Sequence, residues 1–288
     1  MADYRNFSFG LYEKALPSGL NWSERFSCAK NAGYDFIEIS IDESDEKLQR
    51  LDWNYEQKKK FKNDIEVSGL FIPTMCLSGH RRYPIGSAFS AVREKGMEIM
   101  AKAIDFASEM GIRIIQIAGY DAWYNEPSTS ETANNYFENL RASVVLASQK
   151  GVMLAIENMG VAFMDSVEKA MELISRNNSP YLQAYPDIGN SSAMGKNIEK
   201  EFISARGHIV AVHIKDTKPG IVRRVGFGDG TVDFIRSFIA LKDSGFTGPV
   251  VIEMWADEQQ DTLADVIYAK QFVIKKMEAA WNSTRNHS

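Results

Sequence analysis

Four side chains able to bind a divalent cation each close a short, mostly apolar run: Glu157 in VMLAIE, Asp187 in LQAYPD, His213 in HIVAVH and Glu253 in PVVIE. A carboxylate inside such a run is costly unless something offsets its desolvation. A divalent cation does so directly. Three carboxylate oxygens with one imidazole nitrogen suit Mn²⁺, Mg²⁺, Co²⁺ or Zn²⁺. Any one of the four alone reads more readily as a salt-bridge or cap partner, but four in register at the ends of consecutive strands point to one metal ion.

Other residues are weaker candidates. Glu38 in DFIEIS points either into the barrel toward the site or outward to a helix and reads more readily as a structural carboxylate, His208 opens its run at the end opposite His213, and His287 lies in the tail. His80-Arg81-Arg82 follows the third strand. It reads either as a solvated basic turn or as a cluster for a substrate phosphate, since arginine forks match phosphate oxygens. After the seventh strand come Lys215, Arg223 and Arg224 and then GFGDG, where the amides around Gly226 and Gly228 could cradle an anion. Trp123 and Tyr124 read as a lid, a sugar platform or a dimer contact.

Positioning these groups falls to a repeated alternation of short β-branched runs and longer amphipathic segments, which signals βαβ units and a parallel sheet. Eight candidate strands can be counted: SFGLYE, DFIEIS, LFIPTMCLS, RIIQIAG, VMLAIEN, LQAYPDI, HIVAVHIKD and PVVIEMW. Between them run helical stretches such as VREKGMEIMAKAIDFASEMG. Gly33, Gly69, Gly111, Gly151 and Gly245 stand at the helix-to-strand junctions as C-caps. The expectation is one α/β domain over residues 1–288, a closed (β/α)₈ barrel with a frayed tail at 282–288; a doubly wound open sheet is the alternative. In such a barrel functional groups stand at the carboxyl ends of the strands, where the four candidate ligands fall.

The chain has 288 residues, 44% of them hydrophobic and 25% charged, enough apolar material for a large core. Its net charge of −5 and interspersed lysines and arginines argue against a nucleic-acid partner, and four histidines are few for a multi-metal nuclease. No stretch has signal-peptide or membrane-spanning character. With only Cys28 and Cys76 there is no disulfide framework. A cytoplasmic protein without a membrane partner is expected.

The segments LDW, MCLSGHRRYPIGS, IQIAGYD, YPDIGNSSA, AVHIKDTKPG, GFGDGTVDF and VIEMW resemble the L-ribulose-5-phosphate 3-epimerase proteins, also described as hexulose-6-phosphate isomerase-like, among the xylose-isomerase-like barrels. The likeness runs from LYEKAL to the last helix, with a local departure at IENMGVAF, where Asn158 follows Glu157. The resemblance implies reversible epimerisation at C3 between L-xylulose 5-phosphate and L-ribulose 5-phosphate. It places the metal ligands on Glu157, Asp187, His213 and Glu253.

Such chemistry removes a proton from C3 on one face and returns one on the other through an enediolate. Glu157 and Glu253 are the expected catalytic pair, and His80, Arg81, Lys215, Arg223, Gly226 and Gly228 the expected substrate-binding residues. The partner is then a small phosphorylated keto-sugar, with the chain expected to form a homodimer. An aldose–ketose isomerase on the same site and a non-catalytic sugar-phosphate-binding barrel are the alternatives.

Overall fold

Six consecutive residues of the second strand, Phe36–Ile41, are all buried, with isoleucine at every second position. Because strand side chains alternate between faces, Ile37, Ile39 and Ile41 join the large core under the helices, while Phe36 belongs to a separate cluster with Tyr12, Cys76, Ala155, Tyr185, Ala211 and Val251. Those two clusters are the outside and the inside of a barrel. The computed structural model describes residues 4–256 and 262–283.

Eight parallel strands form the barrel: Phe9–Tyr12, Phe36–Ile41, Thr74–Leu77, Ile114–Ala118, Met153–Glu157, Leu182–Ala184, Val212–Ile214 and Val250–Ile252. Each pairs with its neighbour in sequence, and the first also pairs with the eighth. The ring is completed between the sixth and seventh by the bridges Ala184–Ile209 and Asp187–His213. This cyclic order is that of the closed barrel and not of an open doubly wound sheet.

Helices cover the outside. Asn54 opens Tyr55–Ser68 with a reciprocal capping box to Gln57, and Gly69 ends it at φ 71°. All five junction glycines expected as C-caps have positive φ, the left-handed conformation glycine adopts without steric cost. At the floor of the barrel Gly10 stands against Phe36. A Cβ on Gly10 would lie 2.1 Å from the Phe36 ring, so the bare glycine lets that ring fill the interior; removing the ring would cost about 3–5 kcal/mol.

Three expectations are corrected. The seventh strand is Val212–Ile214, shorter than the run His208–Asp216. Beyond it the chain turns into an antiparallel hairpin, Asp216–Lys218 with Ile221–Val225, where a loop was expected. The last helix, Thr262–Ser283, continues through Asn282 and Ser283, because its buried Trp281 and Ala280 still pack on the core. The rest of the tail, including His287, lies outside the described residues. Among the described residues no helix is long and apolar enough to cross a membrane.

Candidate active site

The alternation that sorts the isoleucines also sorts the polar groups. Leu154 and Ile156 pack outward, so Ala155 and Glu157 point into the barrel; Val212 and Ile214 turn His213 inward; Val250 and Ile252 do the same for Val251 and Glu253. Register then brings them together, with Val251 beside His213 and Asp187 bridged to His213. One ligand atom from each of Glu157, Asp187, His213 and Glu253 lies within 4.8 Å of the others, and all four residues are buried.

Both ring nitrogens of His213 face carboxylates. Nε2 donates to Glu38 Oε1 at 2.7 Å, and Nδ1 stands 2.9 Å from Glu157 Oε1 and 4.0 Å from both Asp187 Oδ2 and Glu253 Oε2. Glu38 Oε2 in turn accepts from the Tyr185 hydroxyl at 2.7 Å. Glu38 therefore fixes the ring from behind and leaves Nδ1 as the nitrogen turned to the other three acids, the arrangement in which an outer carboxylate orients a metal-binding imidazole. Burial opposes a charge on His213, but Glu38, Glu253 and Glu157 raise its pKa well above the ordinary histidine range.

Asp187 divides its oxygens. Oδ1 caps the helix Ile188–Ala193 by accepting from Asn190 N at 2.8 Å, while Oδ2 is buried with no hydrogen-bond partner. The closest charge to Oδ2 is the Lys215 ammonium at 2.6 Å, which also donates to Glu253 Oε2 at 2.7 Å. Four buried carboxylates thus face one lysine and one imidazole, so negative charge remains to be offset. That charge and the convergence of Glu157, Asp187 and Glu253 on Nδ1 fit a divalent ion; these residues could hold one. Burial pushes the Asp187 carboxyl up, whereas Lys215 and His213 hold Glu253 well below the carboxylate range against the same burial effect.

Neighbours aim the side chains of the cluster. Gln116 Nε2 donates to Glu157 Oε2. Asn158, at the local departure, turns away from the cavity and clamps the Asp187 turn. Its Oδ1 accepts from Asp187 N at 2.8 Å, and its Nδ2 donates to Asp187 O and Ser191 Oγ at 3.2 and 3.0 Å.

Above the cluster lies a cavity of about 360 Å³ whose lining includes Glu157, Glu253, Lys215, Tyr120, Trp123 and Trp255, within the usual size for a small-molecule site. Arg81 and Arg223 line it too. The Arg81 guanidinium packs over Tyr120 and Trp123 at 5.7 and 5.6 Å, with Glu43 3.9 Å away. Arg223, on the hairpin, has no ion pair among the described residues; its charge helps to lower Glu253 and opposes the burial-driven rise at Tyr120. Tyr124 is exposed and donates to Glu43 Oε2 at 2.5 Å.

Three of the expected substrate-binding residues are occupied elsewhere. His80 is buried against the helix Ser90–Met110, its Nε2 3.1 Å from Gly96 O, and burial lowers its pKa to about 4. Gly228 N and Gly230 N donate to Asp216 Oδ2 at 2.9 and 3.0 Å, so this loop already holds an anion, the chain's own carboxylate. Gly226 faces Asp229, whose Oδ2 would lie 2.7 Å from an added Cβ, and is not part of the cavity over the cluster. Lys215 does reach the cavity, but as the cation between Asp187 and Glu253.

Glu38, Gln116 and Asn158 were not anticipated in these roles. The signal for Glu38 and Gln116 was present: in Ile37-Glu38-Ile39 and Ile115-Gln116-Ile117 the flanking isoleucines pack outward, which leaves the polar residue no face but the interior.

The family described as xylose isomerase-like TIM barrel matches residues 26–273. L-ribulose-5-phosphate 3-epimerase UlaE of Shigella boydii serotype 18 is 48% identical over 276 residues, 96% of this chain and 97% of that protein; the protein of the same name from Escherichia coli O157:H7 matches with the same identity and coverage. Among solved structures, a D-tagatose 3-epimerase-like protein superposes with a TM-score of 0.80 at 19% identity, covering 96% of this chain and 100% of that one. An L-ribulose 3-epimerase does so with 0.79 at 20%, covering 98% of each. These two likenesses concern the fold. The near-full-length relatives settle the family: the chain belongs to the L-ribulose-5-phosphate 3-epimerases within the xylose isomerase-like TIM barrels, and is an epimerase, an enzyme of the isomerase class.

Proposed function

We propose that the protein inverts C3 of a phosphorylated ketopentose, interconverting L-xylulose 5-phosphate and L-ribulose 5-phosphate. The observation that carries this reading is the pair Glu157 and Glu253, two carboxylates from non-adjacent strands that line one cavity and converge on the same ring nitrogen of His213. The name borne by relatives 48% identical over nearly the full chain supports the substrate class.

A divalent ion held by Glu157, Asp187, His213 and Glu253 would supply Lewis-acid polarisation of the sugar carbonyl. One glutamate takes the C3 proton and the other returns a proton to the opposite face, the two exchanging roles with direction. Gln116 holds Glu157 and Lys215 holds Glu253, so neither carboxylate has to search for its position. Arg81 and Arg223, which both line the cavity, serve the phosphate, and Trp123 and Trp255 shield the reacting carbons from water.

Wild-type protein incubated with each pentulose phosphate in deuterated water should place deuterium at C3. Glu157→Gln and Glu253→Gln should abolish that exchange while sugar-phosphate binding persists. Deuterium at C1 instead would replace this reading with aldose–ketose isomerisation, and binding without exchange would leave only a sugar-phosphate-binding barrel.

A further inference from the structure

Lys215 stands where its charge can meet the reacting sugar. It is buried yet lines the cavity, and its ammonium faces Asp187 Oδ2 at 2.6 Å and Glu253 Oε2 at 2.7 Å. Of its three N–H groups, at most two are engaged there. The chain makes room for this side chain: a Cβ on Gly189 would lie 2.5 Å from Lys215 Cγ and 2.9 Å from its carbonyl oxygen. Trp255 packs on the ammonium with its ring centre 5.9 Å away. The two carboxylates and the indole fix a cation beside Glu253, at the wall of the cavity.

We propose that Lys215 is a further catalytic residue, donating its remaining N–H to the substrate oxygen that becomes negative when the C3 proton leaves. This rests on the C3-epimerase reading. In that step the C3–H bond breaks and the proton passes to a glutamate carboxylate. The bonding pair forms the C2–C3 double bond, and the carbonyl π pair moves onto the C2 oxygen. A donor already held in place by Asp187 and Glu253 stabilises that oxyanion without reorganising at the moment of reaction. The role differs from phosphate binding, since it acts on the reacting carbons and is indifferent to the far end of the sugar.

The test is Lys215→Met beside Gly189→Ala, which crowds the lysine stem without changing the lysine. At saturating metal, kcat for C3 exchange should fall about 10²–10³-fold in Lys215→Met, with KM changed far less and the same loss on phosphorylated and unphosphorylated ketopentoses. Gly189→Ala should show a smaller fall of the same kind. A four-carbon phosphohydroxamate, a planar mimic of the enediolate, should bind Lys215→Met at least tenfold more weakly by calorimetry while the affinity for the ketose substrate holds.

Exchange in Lys215→Met within about threefold of wild type, or full recovery when metal is raised, would overturn the proposal and leave the lysine a structural partner of the acids. A loss confined to phosphorylated sugars would overturn it in favour of phosphate binding. Should wild type itself show no C3 exchange, the functional reading fails, a result distinct from wild-type exchange that Lys215→Met matches.

Discussion

Glu38 accepts from Nε2 of His213 at 2.7 Å, and the opposite nitrogen of the same ring faces Glu157 at 2.9 Å. The imidazole is thereby held between an outer carboxylate and the ligand cluster, with its orientation set from the far side of the barrel. Glu38→Gln keeps the shape but removes the charge and adds donors where an acceptor is needed. Metal affinity measured by calorimetry should weaken about 10–100-fold, and Tyr185→Phe, which removes the second bond to Glu38, should weaken it less. An unchanged affinity in Glu38→Gln would dismiss the carboxylate from this role.

Arg81→Met and Arg223→Ala probe the cavity walls. Each should lower kcat/KM for a ketopentose phosphate by about 10–100-fold, as expected for loss of a charge-assisted contact of about 1.5–3 kcal/mol, while the unphosphorylated parent is nearly unaffected. Equal losses on both sugars would remove the arginine from phosphate recognition. Arg223, on the hairpin and without an ion pair among the described residues, should also show the stronger dependence on ionic strength.

Glu13 governs stability in acid. It is fully buried, accepts from Ser40 N at 2.8 Å, and is ringed by Arg50 at 2.7 Å, Lys47 and Arg25. Burial would raise its pKa, but these cations hold it at about 2, below the 4.5 of a free glutamate. The folded pKa is depressed, so the contribution is complete above pH 4.5 and is lost as the pH falls from there towards 2, about 3 kcal/mol in all. Urea unfolding should show Glu13→Gln markedly destabilised at pH 7, with the gap to wild type closing between pH 4.5 and 2. A gap that does not change across that window would contradict the assignment.

Glu201 has the opposite sign. Buried beneath the N-terminus of Val167–Asn177, where it accepts from Val167 N, its carboxyl is pushed up to about 7 by desolvation. The folded state therefore prefers the protonated form, and stability falls as the pH rises from 4.5 through 7. Glu201→Gln keeps the acceptor without the charge and should gain about 3 kcal/mol over wild type at pH 8, with little difference at pH 4.5. Equal unfolding midpoints for the two proteins at pH 8 would refute it.

The barrel and the convergence of Glu157, Asp187, His213 and Glu253 were both legible because they obey the same two-residue period. Runs such as VMLAIE and PVVIE announce a strand, and the last residue's parity with the inward Ala155 or Val251 announces its face. What escaped depended on partners remote in sequence. Asp216 reaches 12 and 14 residues ahead to the amides of Gly228 and Gly230, so a stretch that reads as an anion cradle is filled by the chain's own acid. Lys215, expected to bind substrate, follows an inward histidine by two positions and shares its parity; its pairing with Asp187 and Glu253 depends on acids remote in sequence. His80 failed for a similar reason, its partner Gly96 lying on the following helix.

The Phe36 ring seated on Gly10 plugs the floor of the barrel, and the cavity over Glu157 and Glu253 lies at the other end, where the hairpin carries Arg223. A hydrogen lifted from the sugar therefore faces that mouth, which the hairpin carrying Arg223 lines. With one glutamate on each face of the sugar, the share of isotope returned to unconverted substrate, set against the share washed out to solvent, therefore becomes a clock for how long that mouth stays closed to water.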